Sequence, residues 1–284
     1  MRISEECAKC LYDRQKEKTG DPEYLAEIKA LLDNRKDTDT SPYMVYLFNR
    51  IHTRHFGKGA DYRAVKREYN DLVLSMEGDL KKEIEGAGDP LAKALMMARV
   101  GNYIDLGAMN HVDKETFLGL FRDTEMREDD ERTYRSFVRE CVEAESFLLI
   151  CDNCGEIVLD KLMAEQLKKR FPILKIRAMV RGGEVLNDAT MEDAEYTGLT
   201  GIAEVVSNGE AIAGTVYDML PGEAKRAVDE SDVILAKGQG NYESMAGPGM
   251  HAFYMFLCKC GLFTGRFRVP RLTGMFIEEG EGLT

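Results

Sequence analysis

Nowhere does this 284-residue chain carry an apolar run near the roughly 18 residues that a membrane-spanning helix needs. Its amino terminus, Met1-Arg2-Ile3-Ser4-Glu5-Glu6, turns polar at once, so no secretory leader is expected there. Positive charge is in short supply. Lys and Arg number 38 against 50 Asp and Glu, a net charge of −12. Such a surface repels nucleic acid and anionic membrane on average, and only a local basic pocket, from Lys237 or Arg181, would welcome a small anion. The seven cysteines are an odd number, which argues against a disulfide framework and for a reducing, cytoplasmic compartment.

Familiar catalytic patterns are also missing. There is no G-x-x-x-x-G-K-[ST] phosphate loop. Gly238-Gln239-Gly240 lacks the third glycine of a dinucleotide fingerprint. His52, His55, His111 and His251 show no H-E-x-x-H spacing. Asp152-Asn153-Cys154 has no second carboxylate two residues on, which an aspartyl-phosphate site of the haloacid-dehalogenase kind would want.

What is present changes near the middle of the chain. Residues 1–140 read as a helical subdomain, with helical spacing over Tyr24–Leu32, Ala64–Leu80 and Pro90–Met97. Asp21-Pro22, Ser41-Pro42 and Asp89-Pro90 mark helix starts. A short charged linker is expected near residues 123–136. Residues 141–284 read as an α/β domain in which strands alternate with helices. Ser146–Cys151, Ile176–Val180 and Asp232–Ala236 are short apolar runs that end in loop signals, the pattern of buried strands. Gly155–Arg170 is a helix, Met191–Glu204 and Glu223–Val228 are further helical stretches, and Phe253–Cys258 is a late strand. The tail from Glu278 to Gly282 is acidic, glycine-rich and expected to be mobile. The fold class is α/β: a helical subdomain packed on a Rossmann-like three-layer domain with a largely parallel sheet.

Each apolar run is followed by a polar cluster: Asp152-Asn153, Asn187-Asp188, and Lys237-Gly238-Gln239-Gly240-Asn241. Ligands of open α/β sheets bind beyond the carboxyl ends of the strands. Carboxylates, amides and a lysine would therefore meet at one edge, a donor set suited to a divalent metal holding a phosphate. The bland reading of Asp152 and Asn153 is a cap for the following helix. The bland reading of Lys237 is a solvated turn. Ser207-Asn208-Gly209 with Gly214-Thr215 is a further phosphate-binding candidate, though Asn-Gly is usually only a turn. The pairs Cys7/Cys10 and Cys151/Cys154 would make a tetrahedral zinc site only if folding brought them together. Ordinary buried cysteine is the default.

Taken in order, three segments resemble the damage-control phosphatase family, formerly a domain of unknown function. They are Asp152–Asp160, Arg181-Gly182-Gly183 through Leu186–Thr190, and Ser231–Glu243. In the first half, Cys7-Ala8-Lys9-Cys10, Asp61-Tyr62 with Lys66 and Asn70, and Gly101–Asp105 are similar to its prokaryotic branch. Cys154 departs from the small residue usual there. The resemblance implies a divalent-metal phosphatase of small phosphorylated metabolites such as sugar phosphates. By motif, Asp152, Asn153 and Asp188 would bind the metal. Glu156 and Lys237 would meet the substrate, with Asn241 beside them, and Asn102 and Asp105 would line the site from the helical side. Asp152, Asn153, Asp188 and Lys237 form the expected catalytic set. Oxygen ligands favour Mn²⁺, Mg²⁺, Co²⁺ or Ni²⁺ over a zinc-thiolate site. The rival readings are an adenosylmethionine-dependent carboxyl methyltransferase and a sugar-phosphate-binding protein without turnover.

Overall fold

The apolar runs of the second half meet in one sheet. In the computed structural model the described residues are 1–103, 125–247 and 249–279. The strands are β1 (Ser146–Ile150), β2 (Lys175–Val180), β3 (Glu204–Ser207), β4 (Val233–Lys237), β5 (Ala252–Leu257) and β6 (Gly274–Glu279). They lie in the order β3-β2-β1-β4-β5-β6. The first five run parallel, and β6 turns back antiparallel on β5. Parallel strands need crossovers, and helices supply them on both faces. That double cover is why β1 and β4 are apolar almost throughout. Phe147 and Leu149 of β1 face one helical layer, while Leu148 and Ile150 face the other.

The first layer joins both halves of the chain. It contains α4 (Arg63–Leu74), α5 (Glu77–Glu85), α6 (Pro90–Gly101), α7 (Glu128–Glu143), α8 (Glu156–Arg170) and α9 (Met191–Thr197). Val73 of α4 and Leu95 and Met97 of α6 share a core with Ile157, Leu159 and Leu162 of α8. Each such side chain stabilises the fold by about 1.5–3 kcal/mol when fully buried. The second layer contains α10 (Gly222–Asp229), α11 (Gln239–Met245) and α12 (Gly261–Phe267), with Ala224, Tyr242 and Phe263 against the sheet. A smaller cluster around Tyr24, Ile28, Met44 and Phe48 closes α1 (Glu5–Lys18), α2 (Pro22–Asp33) and α3 (Ser41–Phe56) on one another. The α/β three-layer expectation holds.

Several local expectations differ. The stretch Ala64–Leu80 is two helices, because Ser75 Oγ donates back to Leu72 O at 2.7 Å and competes for a helical acceptor. Met191–Glu204 is α-helical only to Thr197, where Gly198 at φ +80° ends the helix; Leu199–Gly201 adds a 3-10 turn, and Glu204 begins β3. Much of the expected linker near 123–136 is α7, which starts at Glu128. Glu278 and Glu279, expected in a mobile tail, pair with β5 as part of β6. Asp105 lies outside the described residues.

The chain leaves β1 toward β2 and β3, then returns to lay β4 and β5 on the other side of β1. This switch point opens a crevice at the carboxyl ends of β1 and β4, where ligands of such sheets bind.

Candidate active site

Beyond Ile150 the chain delivers Cys151-Asp152-Asn153 to that crevice. A short antiparallel bridge ties the segment to Asn187-Asp188-Ala189. Cys154 N donates to Asn187 O and Ala189 N donates to Asp152 O, both at 2.8 Å. Neither Asp152 nor Asn153 caps α8. Gly155 takes the cap position, and the side chains of Asp152 and Asn153 turn into the crevice.

Arg181, the residue after β2, is only 1% exposed and lies between the two carboxylates. Its Nε donates to Asp188 Oδ2 at 2.6 Å and its Nη2 to Asp152 Oδ1 at 3.1 Å. Its Nη1 reaches Asn241 Oδ1 at 3.0 Å and Gly214 O at 3.2 Å. One rigid guanidinium fork thus holds Asp152 and Asp188 in a single site.

The other oxygen of Asp152, Oδ2, accepts from Asn102 Nδ2 at 3.0 Å and Asn153 Nδ2 at 2.8 Å. Glu156 Oε2 accepts from the same two amides, at 3.0 and 3.1 Å. Lys237 is fully enclosed. Its Nζ donates to Glu156 Oε1 and Asp160 Oδ1, both at 2.6 Å, and to Ala98 O at 3.0 Å. An ammonium has three protons, and all three are taken. The expected phosphate contact would require Lys237 to exchange a partner. Asn241 is likewise enclosed. Its Nδ2 donates to Lys237 O at 2.6 Å and Cys151 O at 3.2 Å, and its Oδ1 accepts from Arg181 and Thr215. It is a strut between strand ends rather than an open substrate contact.

The charges do not balance. Asp152, Asp188, Glu156 and Asp160 are four carboxylates, and Arg181 and Lys237 are the two cations paired with them. Part of that excess is met by protons, because burial raises Asp152, Asp160 and Asp188, and part by the charge of Lys259. Burial pushes Asp188 up to about 7, with Asp152 adding to the effect and Arg181 opposing it. Burial does the same to Asp160, also to about 7, with Glu156 adding and Lys237 opposing. Asp152 is raised by burial first and by Glu156 second. Lys237 stays charged because Asp160 and Glu156 outweigh its burial. From the strand end beyond β5, the charge of Lys259 lowers both Asp152 and Asp188.

The remaining candidates lie apart from this network or support it. Asn208 is a buried loop strut, with Oδ1 accepting from Gly182 N and Glu210 N. Cys154 Sγ approaches Asp188 O at 3.8 Å, and burial keeps it a thiol. Cys7 and Cys10 lie on α1, whereas Cys151 and Cys154 are fully buried beside β1. Among the described residues, no three donors including these cysteines gather around a common point. His52 and His55 pack with Tyr24 and Phe56. A cleft of about 360 Å³ is lined by Arg63, Lys66, Arg67, Glu184 and Asp193, but by none of the site carboxylates. Lys66 is held there by Asp193 at 2.8 Å and Glu184 at 3.0 Å.

Fold and crevice define a doubly wound α/β protein with an acid-rich site at its switch point. Residues 3–272 match the family described as the Damage-control phosphatase ARMT1-like domain. The chain belongs to this family. It is 31% identical to a damage-control phosphatase of Archaeoglobus fulgidus over 278 residues, covering 92% of this chain and 93% of that one. A damage-control phosphatase of Pyrococcus horikoshii is 30% identical over 183 residues, 63% of this chain and 61% of that one. The fold matches a crystal structure of a DUF89 family protein from Pyrococcus horikoshii, with TM-score 0.80 and 22% identity over 98% of this chain and 99% of that one. The chain is accordingly an enzyme, a metal-dependent phosphatase. No helix among the described residues is long and apolar enough to cross a membrane.

Proposed function

We propose that the crevice binds one divalent cation through Asp152, Asn153 and Asp188 and hydrolyses the phosphate monoester of a small metabolite, such as a sugar phosphate. The observation that carries this reading is the convergence of Asp152, Asn153 and Asp188 in one buried site where carboxylates outnumber the cations ion-paired with them by four to two, an excess that a divalent ion would reduce. The donors fit such an ion. Asn153 spends its amide N–H groups on Asp152 and Glu156, so its carbonyl oxygen is the end left to face a cation. With the carboxylates it makes a hard oxygen set that suits Mn²⁺, Mg²⁺, Co²⁺ or Ni²⁺, and the buried Cys154 thiol adds no thiolate.

When bound, the ion would polarise the phosphoryl group and acidify a water. The protein's share is positioning. Arg181 fixes one oxygen each of Asp152 and Asp188, and Asn102 and Asn153 hold the second oxygen of Asp152. Glu156 and Lys237, both fully enclosed, act through those two amides rather than on the ester. Lys259, whose charge acts on both metal-facing carboxylates, is the cation we assign to the phosphate oxygens.

The test is phosphate release from a panel of sugar phosphates and phosphopantetheine-like esters, with each of the four metals and with chelator. Asp152→Ala and Asp188→Ala should lose metal-dependent turnover while keeping a cooperative unfolding transition. Full activity in either folded variant would defeat the assignment.

A further inference from the structure

We infer a second divalent-cation site, structural in role, formed by Glu140, His251 and Glu278. It lies at the edge of the sheet opposite the crevice. His251 immediately precedes β5, whereas Leu257, at the far end of that strand, donates its backbone N–H to Asn102. Six residues of extended chain separate the two ends by roughly 20 Å.

The three donors come from separate elements: Glu140 from α7, His251 from the loop entering β5, and Glu278 from β6. One donor atom of each lies within 4.8 Å of the other two. Both oxygens of Glu140 approach His251 Nε2, at 3.0 and 3.1 Å, and Glu278 Oε1 lies 3.9 Å from the same nitrogen. Four-coordinate bonds of about 2.0–2.2 Å set donors roughly 3.4 Å apart, and the observed 3.0 and 3.9 Å straddle that spacing. The imidazole is held edge-on against Phe253, with ring centroids 5.8 Å apart, and its Nε2 faces both oxygens of Glu140 with Glu278 beyond. Two carboxylates converging on one nitrogen call for positive charge between them.

One imidazole with two carboxylates suits Zn²⁺ or a metal of similar softness, and a water would complete the set. Binding clips α7 to the antiparallel pair β5–β6, the part of the sheet where Glu278 was expected to be loose. The inference does not rest on the metal proposed for the crevice.

The experiment titrates ZnCl₂ into metal-stripped full-length protein by calorimetry, for wild type and His251→Ala. The wild type should bind one more equivalent than the variant. Zinc at a hundredfold excess over Kd should raise its Tm by roughly 5 °C more. Phosphate release with Mn²⁺ should be equal in both. Zinc taken up by other histidines or cysteines is common to both proteins and cancels. Equal stoichiometry and equal Tm shifts would overturn the site. If His251→Ala does not fold, Glu278→Gln carries the test, with at least tenfold weaker binding expected at this site and unchanged binding overturning it.

Discussion

Replacing Gly238 with alanine tests whether the position of Asp152 matters to the chemistry. Gly238 has φ +82° and ψ 152°, a region that costs a residue with a side chain on the order of 1–3 kcal/mol. The steric consequence is sharper. A Cβ there would stand 2.0 Å from Asp152 Oδ2 and 2.2 Å from its Cγ. Ordinary contact begins at 3.4 Å, so Oδ2, the oxygen that Asn102 and Asn153 hold, must shift by about 1.4 Å. A displacement of about 1 Å in a reacting constellation costs on the order of 10²-fold in rate. Backbone strain alone should lower Tm by roughly 2–6 °C for a chain of this size. The assay is kcat/KM for metal-dependent phosphate release beside a thermal melt of the same sample. Gly198→Ala is the control. Its φ is +80°, but a Cβ there meets nothing within 4 Å, so it should lose comparable stability and keep its kcat/KM. A folded Gly238→Ala with wild-type kcat/KM would refute the reasoning.

Two further outcomes follow from the buried charges. Lys237→Met leaves Glu156 and Asp160 enclosed without their cation, and should destabilise the protein by about 3–5 kcal/mol, read from denaturant unfolding. A loss under 1 kcal/mol would show that water or another cation reaches the pair. Asp160 carries a folded-state value of about 7, above its ordinary value near 4. The folded protein keeps a proton there that the unfolded chain has released, so this contribution is fully present below about pH 4 and is lost as pH rises to about 7. Asp160→Asn should therefore gain stability relative to wild type across that window and level off above it. A pH-independent difference in Tm contradicts the assignment.

The fold was legible where burial leaves a signature along the chain. β1 and β4 are covered on both faces, so each is mostly a run of apolar residues that no exposed segment would tolerate, and β2 shows the same only in Ala178-Met179-Val180, beyond Arg177. β3 is four residues with polar ends, and β6 hides Met275-Phe276-Ile277 before a glutamate- and glycine-rich end, so neither stands out. The strand-end clusters were readable because loops after parallel strands carry ligands, and the structure gathers Asp152, Asn153, Asp188, Glu156, Lys237, Asn241 and Asn102 into one network. The sealing of Lys237 was not readable, because it depends on α6 and α8 closing over β4. The bridging role of Arg181 was equally hidden. Its partners lie 7, 29 and 60 positions away, and only tertiary structure sets them around one guanidinium. Asp160 had a visible signal, an acid one turn after Glu156 on a helix that is otherwise mostly apolar on that side, and Lys259 had none.

The guanidinium between Asp152 and Asp188 also bears on the order of events in the life of the molecule. Many small metal-binding domains collapse only around their ion, because nothing else quiets the repulsion among the ligands. Here a resident side chain already does part of that work. The polypeptide can finish folding before any ion arrives, and a chelator should silence the enzyme without unravelling it. Cations could then be exchanged at the crevice on a standing scaffold, so the supply of metal to that site would govern the enzyme's activity rather than its survival.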